Sequence, residues 1–167
     1  MTEKQGVNHC FVDEAGDLVL FDKCGKVIVG SPGCSGFFMV KRLFRNLLHK
    51  ADSNSIVFAR RGKSERFEAL SQAITRAQVN FEAKFGRPSD KPTRVHSLFS
   101  GDVAGLQVID YCLWALQRLF ERQEERYFDV LRSKFRLIID LDDTRNHPYG
   151  EYYSDSNPLT AEKIKAF

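Results

Sequence analysis

Two acidic residues stand at positions where a carboxylate could take part in chemistry. Asp13 ends a short run rich in β-forming residues, at 7–13, and Glu14 follows it directly. Asp110 lies in the middle of a run with helical periodicity, although aspartate is a poor helix former. Carboxylates supplied by a strand end and a facing helix suit the hard cations Mg²⁺ and Mn²⁺. The pair therefore suggests a divalent-metal site.

The position of Asp110 on its helix is the more informative of the two. A projection at about 100° per residue puts it on the shoulder of an apolar stripe, close to Leu106, Leu113 and Trp114. We expect this carboxylate to face the sheet or its edge. Burying it unpaired is costly, so it requires a cation, a metal or several hydrogen bonds. Two metals roughly 3.5 to 4 Å apart can activate a water and stabilise the leaving oxygen in phosphodiester hydrolysis.

A plainer interpretation of the same acids stays open at this point. Asp13, Glu14 and Asp17 are all common turn residues, and Asp110 can pair with an arginine at the edge of the core. The four-residue pattern D-E-A-G is too short to decide between the two interpretations.

A basic block follows the N-terminal quarter of the chain. The net charge is only +3, but cations crowd into residues 41–66. The block could follow a phosphate backbone of DNA or RNA, or it could be a solvated helix face with a loop. The residues predicted to bind nucleic acid are Arg42, Arg45, Arg60, Arg61 and Lys63.

Strand and helix patterns alternate along the chain. Period-2 and apolar runs predict strands at residues 7–13, 18–21, 26–29, 37–40, 56–59, 95–99 and 135–141. Apolar stripes predict helices at 40–48, at 64–85 with Ser64 as N-cap, and from Ser100 or Asp102 to about Arg122. This alternation predicts an α/β domain over residues 1–141, with helices packed on a mixed sheet. Residues 142–167 are polar and aperiodic, which predicts an extended arm.

Two motifs carry a resemblance to a known family. The run F-V-D-E-A-G-D at residues 11–17, together with G-L-Q-V-I-D-Y at 105–111, resembles the domain of unknown function 3800 family. Members open with D-E-S-G-D or D-E-A-G-D on a first strand and carry L-Q-x-A-D on a late helix. The similarity extends to the strand and helix at 56–85 and to the tail at 157–160. The resemblance implies a ribonuclease-H-like fold in which Asp13, with Glu14, and Asp110 bind Mg²⁺ or Mn²⁺.

The chain departs from that pattern in two places. A ribonuclease-H-like site usually takes a further acid from the end of the fourth strand, where this chain has Arg60 and Arg61. An arginine at this position would repel a metal ion. Alternatively, it would neutralise Asp13 or Asp110, or hold a substrate phosphate. The strand at 37–40 also runs into a helix at Lys41 without a connecting loop, which suggests an internally shortened relative that lacks a central strand. Its sheet edges would then need a homo-oligomer or a partner chain.

Other sites find little support in the residues. The four cysteines form no C-x-x-C pair, the histidines share no ligand spacing, and residues 30–36 do not match a phosphate loop. Trp114, Phe128 and Tyr152 could stack bases, but helical spacing favours the core. No run is apolar enough for a bilayer span and the start lacks a signal-peptide core, so we expect no membrane partner and a cytoplasmic protein.

Two functions remain. The leading hypothesis is a metal-dependent nuclease, or a degenerate descendant of one, in which Asp13 and Asp110 are catalytic. The alternative is a non-catalytic module of the same fold that binds nucleic acid or protein.

Overall fold

The computed structural model describes residues 6–15, 19–21, 26–29, 48–60, 67–88 and 91–165. Within these ranges the strands are β1 (Val7–Ala15), β2 (Val19–Phe21), β3 (Lys26–Val29), β4 (Ser53–Ala59), β5 (Thr93–Leu98), β6 (Leu137–Asp140) and β7 (Glu151–Tyr153). The α-helices are α1 (Phe67–Phe85), α2 (Ala104–Arg122), α3 (Glu125–Leu131) and α4 (Ala161–Lys165). Single 3₁₀ turns occupy Leu48–Lys50, Ser100–Asp102 and Arg132–Lys134.

All seven strands belong to one sheet, in the order β5-β4-β1-β2-β3-β6-β7. Strands β1, β2 and β3 form an antiparallel meander, and β4 and β5 join β1 in parallel on its other side. Beyond the meander, β6 pairs parallel with β3, and β7 returns antiparallel along β6. Strands β1, β3, β4, β5 and β6 therefore run in one direction, and their carboxyl ends share one edge of the sheet.

Alternation along β1 divides the core between the two faces of the sheet. Cys10 and Val12 pack into a cluster with Ile56, Phe58 and Ile74, on the face covered by α1. Phe11 packs on the other face, against a cluster that contains Ile109 and Leu113 of α2. Successive side chains of a strand point to opposite faces, so this one strand contributes to both halves of the core.

Helix α2 comes very close to the sheet at its first turn. A Cβ atom on Gly105 would lie 2.9 Å from three ring carbons of Phe11. The helix backbone therefore rests on the face of the phenylalanine ring, which only a residue without a side chain allows.

The predicted elements are largely confirmed. The strand and hairpin patterns of the N-terminal quarter correspond to β1, β2 and β3, and the apolar stripes correspond to α1 and α2. The predicted cap of α2 is wrong: Ser100 and Asp102 belong to a 3₁₀ turn, and Val103 is the N-cap without a side-chain hydrogen bond. The N-cap predicted at Ser64 and the strand and helix at 37–47 lie outside the described residues.

The C-terminal segment differs from the extended arm predicted for residues 142–167. It contains β7, which pairs with β6, and α4. Tyr153, Leu159 and Ala161 are buried in the same cluster as Leu116 and Phe128. These three side chains are too widely spaced to form a periodic pattern, which is why the sequence indicated no packing there.

The hypothesis of an internally shortened chain concerns Val40 and Lys41, which lie outside the described residues. The described strands form a continuous sheet whose edges are β5 and β7. A partner chain or second copy at an edge therefore stays a prediction. None of the helices in the described ranges has the length and apolar character that crossing a bilayer requires.

We expect the substitution Gly105→Ala to destabilise the protein, because the new methyl group would overlap the Phe11 ring. Overpacking of this kind costs about 1 to 3 kcal/mol, more than the roughly 1 kcal/mol that alanine gains over glycine in a helix. Urea unfolding measures the change. The matched control is Gly101→Ala, where nothing lies within 4 Å of the added Cβ atom. Equal unfolding midpoints for the two variants would contradict the packing described for α2.

Candidate functional site

Asp13 lies near the carboxyl edge of the sheet, where the strand order predicts a crevice between β1 and β4. The ladder between β1 and β4 ends at Val12 and Phe58, one residue before it. From this point β1 connects to β2 on one side, whereas β4 has its next partner, β5, on the other. Adjacent parallel strands whose connections leave in opposite directions open a crevice, and ligands of open α/β sheets commonly bind there.

The Asp13 side chain is buried on the α2 face of the sheet. It is only 4% exposed. Because it is two residues beyond Phe11, it points to the same face as that ring. A carboxylate removed from water in this way needs a cation or hydrogen-bond donors beside it.

Arg60 follows β4 at the other side of the crevice. Its backbone N–H donates to the Leu98 carbonyl at 2.7 Å, which extends the pairing with β5 by one residue. Its guanidinium carbon lies 5.0 Å from the centre of the Phe99 ring. Alternation places this side chain on the α1 face, whereas Asp13 faces α2. The hypothesis that Arg60 neutralises Asp13 stays a prediction.

Asp110 is exposed on α2, so the expectation that it faces the sheet is wrong. The buried side of the helix extends round to Cys112, Ala115 and Leu119, away from Asp110. Its carboxylate therefore carries no burial penalty, and Asp13 and Asp110 differ in environment. The structure does not bury them together.

The other predicted site residues give a partial picture. Glu14 belongs to β1, but its side chain is not among the described parts of the chain. The residues Arg42, Arg45, Arg61 and Lys63 lie wholly outside the described ranges. In the part of the chain that the structure describes, no group of three His, Cys, Asp or Glu side chains could hold a metal ion. The side chains of Cys10 and Cys112 are both buried, and burial raises the pKa of the Cys112 thiol.

A second polar group, which the sequence did not indicate, lies at the carboxyl end of β6. Asp140 is buried, and its Oδ1 atom accepts hydrogen bonds from the backbone N–H groups of Asp142 at 3.0 Å and Asp143 at 3.3 Å. Burial raises the pKa of Asp140 to about 6, although the two hydrogen bonds act in the opposite direction and lower it. The next strand begins only after Gly150, whose φ of +94° and close contact with the Asp140 carbonyl leave no room for a side chain.

Asp143 is the centre of this group. Its side chain is fully buried and accepts two guanidinium hydrogen bonds from Arg145, at 2.9 Å from Nε and 2.7 Å from Nη2. The hydroxyl of Tyr153 donates to the same carboxylate at 2.8 Å. The Arg145 bonds, helped by Tyr153, lower the pKa of Asp143 to about 2, so it stays ionised.

The same network binds the tail to the sheet. Arg145 also donates to the Lys163 carbonyl at 3.0 Å, and the Lys163 ammonium donates to Asn157 Oδ1 at 2.6 Å and to the Pro158 carbonyl at 2.7 Å. Glu151 accepts from the side-chain amides of Asn146 at 2.8 Å and Asn157 at 3.2 Å. A cavity of about 220 Å³ lies among these side chains. Because the donors and acceptors satisfy one another, the group acts as an anchor for α4.

The two acidic groups are too far apart to bind the same metal ion. Strands β1 and β6 are separated by β2 and β3, which at about 4.8 Å per strand is roughly 14 Å. Asp13 therefore remains the one predicted metal ligand that the described residues place, buried, in the crevice. The signal for the second group was the D-x-D-D pattern after a predicted strand, at 140–143, which reads equally well as a turn.

Comparison with known proteins adds no relative: the chain matches no protein-family model, no curated protein and no solved structure.

The raised pKa of Asp140 predicts a pH-dependent stability. The folded protein holds this proton more tightly than the unfolded chain, so the contribution of Asp140 is complete below about pH 4 and is lost as the pH rises through 6. Asp140→Asn keeps an oxygen for the two backbone donors but buries no charge. We expect it to gain about 1 to 3 kcal/mol over the native protein between pH 4 and 7. Urea unfolding across this range measures the difference.

The control for this series is Asp155→Asn, at an exposed turn position. Its unfolding free energy should follow that of the native protein at every pH. Parallel curves of unfolding free energy against pH for the native protein and Asp140→Asn would show that folding does not change the pKa of the Asp140 carboxyl.

We expect Tyr153→Phe to lower the unfolding free energy by about 1 to 3 kcal/mol, because a buried hydrogen bond to a charged group is lost while Asp143 stays buried. Tyr152→Phe is the matched control, since the adjacent ring is 38% exposed. Chemical unfolding at pH 7 compares the two. An equal effect of both changes would argue against the role given to Asp143.

Proposed function

We propose that this chain is a nuclease-like protein of the ribonuclease-H-like class, which acts on the phosphodiesters of nucleic acid. The observation that carries the proposal is the buried carboxylate of Asp13 at the crevice between β1 and β4. A buried carboxylate at the carboxyl edge of a sheet provides the hard oxygen ligand that a divalent cation requires.

The topology supports the same class. An antiparallel meander, β1 to β3, is extended through its first strand by the parallel strands β4 and β5. This arrangement agrees with the fold that the resemblance to the domain of unknown function 3800 family implies. Strands β6 and β7 are additions at the β3 edge.

Asp13 and Glu14 would hold Mg²⁺ or Mn²⁺ at the end of β1. Such an ion supplies an activated water and charge stabilisation for phosphodiester hydrolysis. Asp13 suits this role because it is buried at the crevice, whereas Asp110 would have to contribute from an exposed helix position. The basic residues Arg42, Arg45, Arg61 and Lys63 would contact phosphates, together with Arg60 beside the crevice.

The first test measures Mn²⁺ binding by calorimetry. The second measures cleavage of RNA and DNA oligonucleotides. We expect Asp13→Asn to weaken Mn²⁺ binding at least tenfold and to abolish cleavage, because the substitution removes the charged ligand. Asp155→Asn serves as the control, since it removes one carboxylate charge at an exposed turn. Unchanged Mn²⁺ affinity and cleavage in Asp13→Asn would refute the site.

Asp110→Asn separates the two predicted ligands. If Asp110 is a ligand, its loss weakens Mn²⁺ binding as the loss of Asp13 does. Equal affinities for Asp110→Asn and the native protein would restrict the site to the end of β1.

The alternative function is a non-catalytic nucleic-acid-binding module of the same fold. Two observations favour it: an arginine follows β4 where a further acid would complete the site, and Asp110 is exposed. This module would bind oligonucleotides without cleaving them in Mg²⁺ or Mn²⁺, and its affinity would fall steeply with salt as phosphate contacts require.

A further inference from the structure

Aromatic rings form a continuous row on the outer side of α2 and α3. Tyr111 and Trp114 stack with their ring centres 5.6 Å apart and an angle of 27° between the planes. Tyr127 of α3 continues the row, with its centre 4.6 Å from that of Trp114. We call Tyr111, Trp114 and Tyr127 the aromatic platform.

The platform is accessible to solvent. Tyr111 is 52% exposed and Trp114 is 37% exposed, whereas the buried side of α2 packs against the sheet, α3 and the tail. Phe128, the other aromatic residue of this region that sequence analysis considered for base stacking, is instead in the core. Exposed large rings in mutual contact are costly to leave in water and commonly mark a binding surface.

Arginines line the platform. The guanidinium carbon of Arg126 lies 4.5 Å from the centre of the Tyr127 ring, and that of Arg118 lies 5.7 Å from the Trp114 ring. Arg118 is also paired with Glu124 at 2.9 Å. Arg122 and Arg126 have no ion-pair partner among the residues that the structure describes, so their charges are available to a ligand.

Charge is separated across the platform. A projection at about 100° per residue places Arg118 and Arg122 on the Tyr111 side of α2, and Asp110 and Glu121 on the other side of Trp114. A negatively charged chain lying along the rings would therefore be held on the arginine side and kept away from the acids.

We propose that the aromatic platform binds single-stranded nucleic acid, with bases stacked on the rings and phosphates along Arg122 and Arg126. Single-stranded binding sites combine stacking rings with cations that follow the backbone, and every base has a face that can stack. Paired bases in a duplex cannot reach these rings. The inference rests on the proposed function in taking nucleic acid as the partner, but it is independent of any metal at Asp13.

The protein carries a built-in probe of this surface, because Trp114 is its single tryptophan. The fluorescence of the 167-residue chain is titrated with a 12-nucleotide oligo(U), a 12-nucleotide oligo(dT) and a 12-base-pair duplex. We expect saturable quenching by the single strands, at least tenfold weaker binding of the duplex, and affinity that falls as salt rises.

Two variants remove one part of the platform each. Tyr111→Ala should weaken oligo(U) binding about 5- to 100-fold through the loss of one stacking ring. Arg126→Gln should weaken it and reduce the salt dependence, by about 0.7 in the slope of log affinity against log salt. The matched controls are Tyr152→Ala on β7 and Arg136→Gln before β6, both exposed and away from the platform, and they should bind as the native protein does. Circular dichroism and thermal unfolding confirm that each variant is folded.

The outcomes separate this inference from the proposed function. Quenching that persists in Asp13→Asn without metal, and that is lost in Tyr111→Ala, supports the platform whether or not the chain cleaves nucleic acid. If neither oligo(U) nor oligo(dT) quenches the fluorescence, the inference about the platform is wrong, even if Mn²⁺ binds at Asp13. Equal effects of Tyr111→Ala and Tyr152→Ala also overturn it. Fluorescence that changes with protein concentration alone would assign the rings to self-association instead.

Discussion

Strand β1 is hydrogen-bonded to β2 on one side and to β4 on the other, and its side chains supply both faces of the sheet. Val12 faces α1, and Phe11 faces α2 at the point where Gly105 lets the helix backbone touch its ring. A shift of one residue in the register of β1 would exchange these faces. The same alternation turns Asp13 toward α2 at the end of the strand, so the geometry of the crevice depends on the packing behind it.

Elements with strong periodicity could be predicted from the sequence. The apolar stripes of α1 and α2 and the buried run in β4 lie close to the predicted positions because hydrophobic spacing reports which side of an element is buried. The environment of Asp110 could not be predicted in this way. A projection shows one face of an isolated helix, whereas α3 and the tail cover a second side of α2 around Ala115 and Leu119. The buried arc is consequently wider and centred away from Asp110.

Asp13 could be chosen as a candidate site residue because an acid at the end of a β-rich run is a local signal. The network around Asp143 had only the D-x-D-D pattern at 140–143, which indicates a turn equally well. Arg145 lies only two residues from Asp143. The Tyr153 hydroxyl that donates to Asp143, and the Lys163 carbonyl that accepts from Arg145, come from beyond a turn and a further strand. Their contacts depend on the path of the backbone after β6, including the left-handed turn at Gly150, and side-chain spacing does not encode that path.

The position of Leu159 and Ala161 in the core has a consequence for synthesis of the protein. Among the described residues, the α1 side of the core draws on none later than Leu141, whereas the α2 side also needs Tyr153, Leu159 and Ala161. A nascent chain leaving the ribosome can therefore close the first layer while the second still exposes Leu113 and Leu116. The interval before the tail emerges is the time at which this chain would have most need of a chaperone.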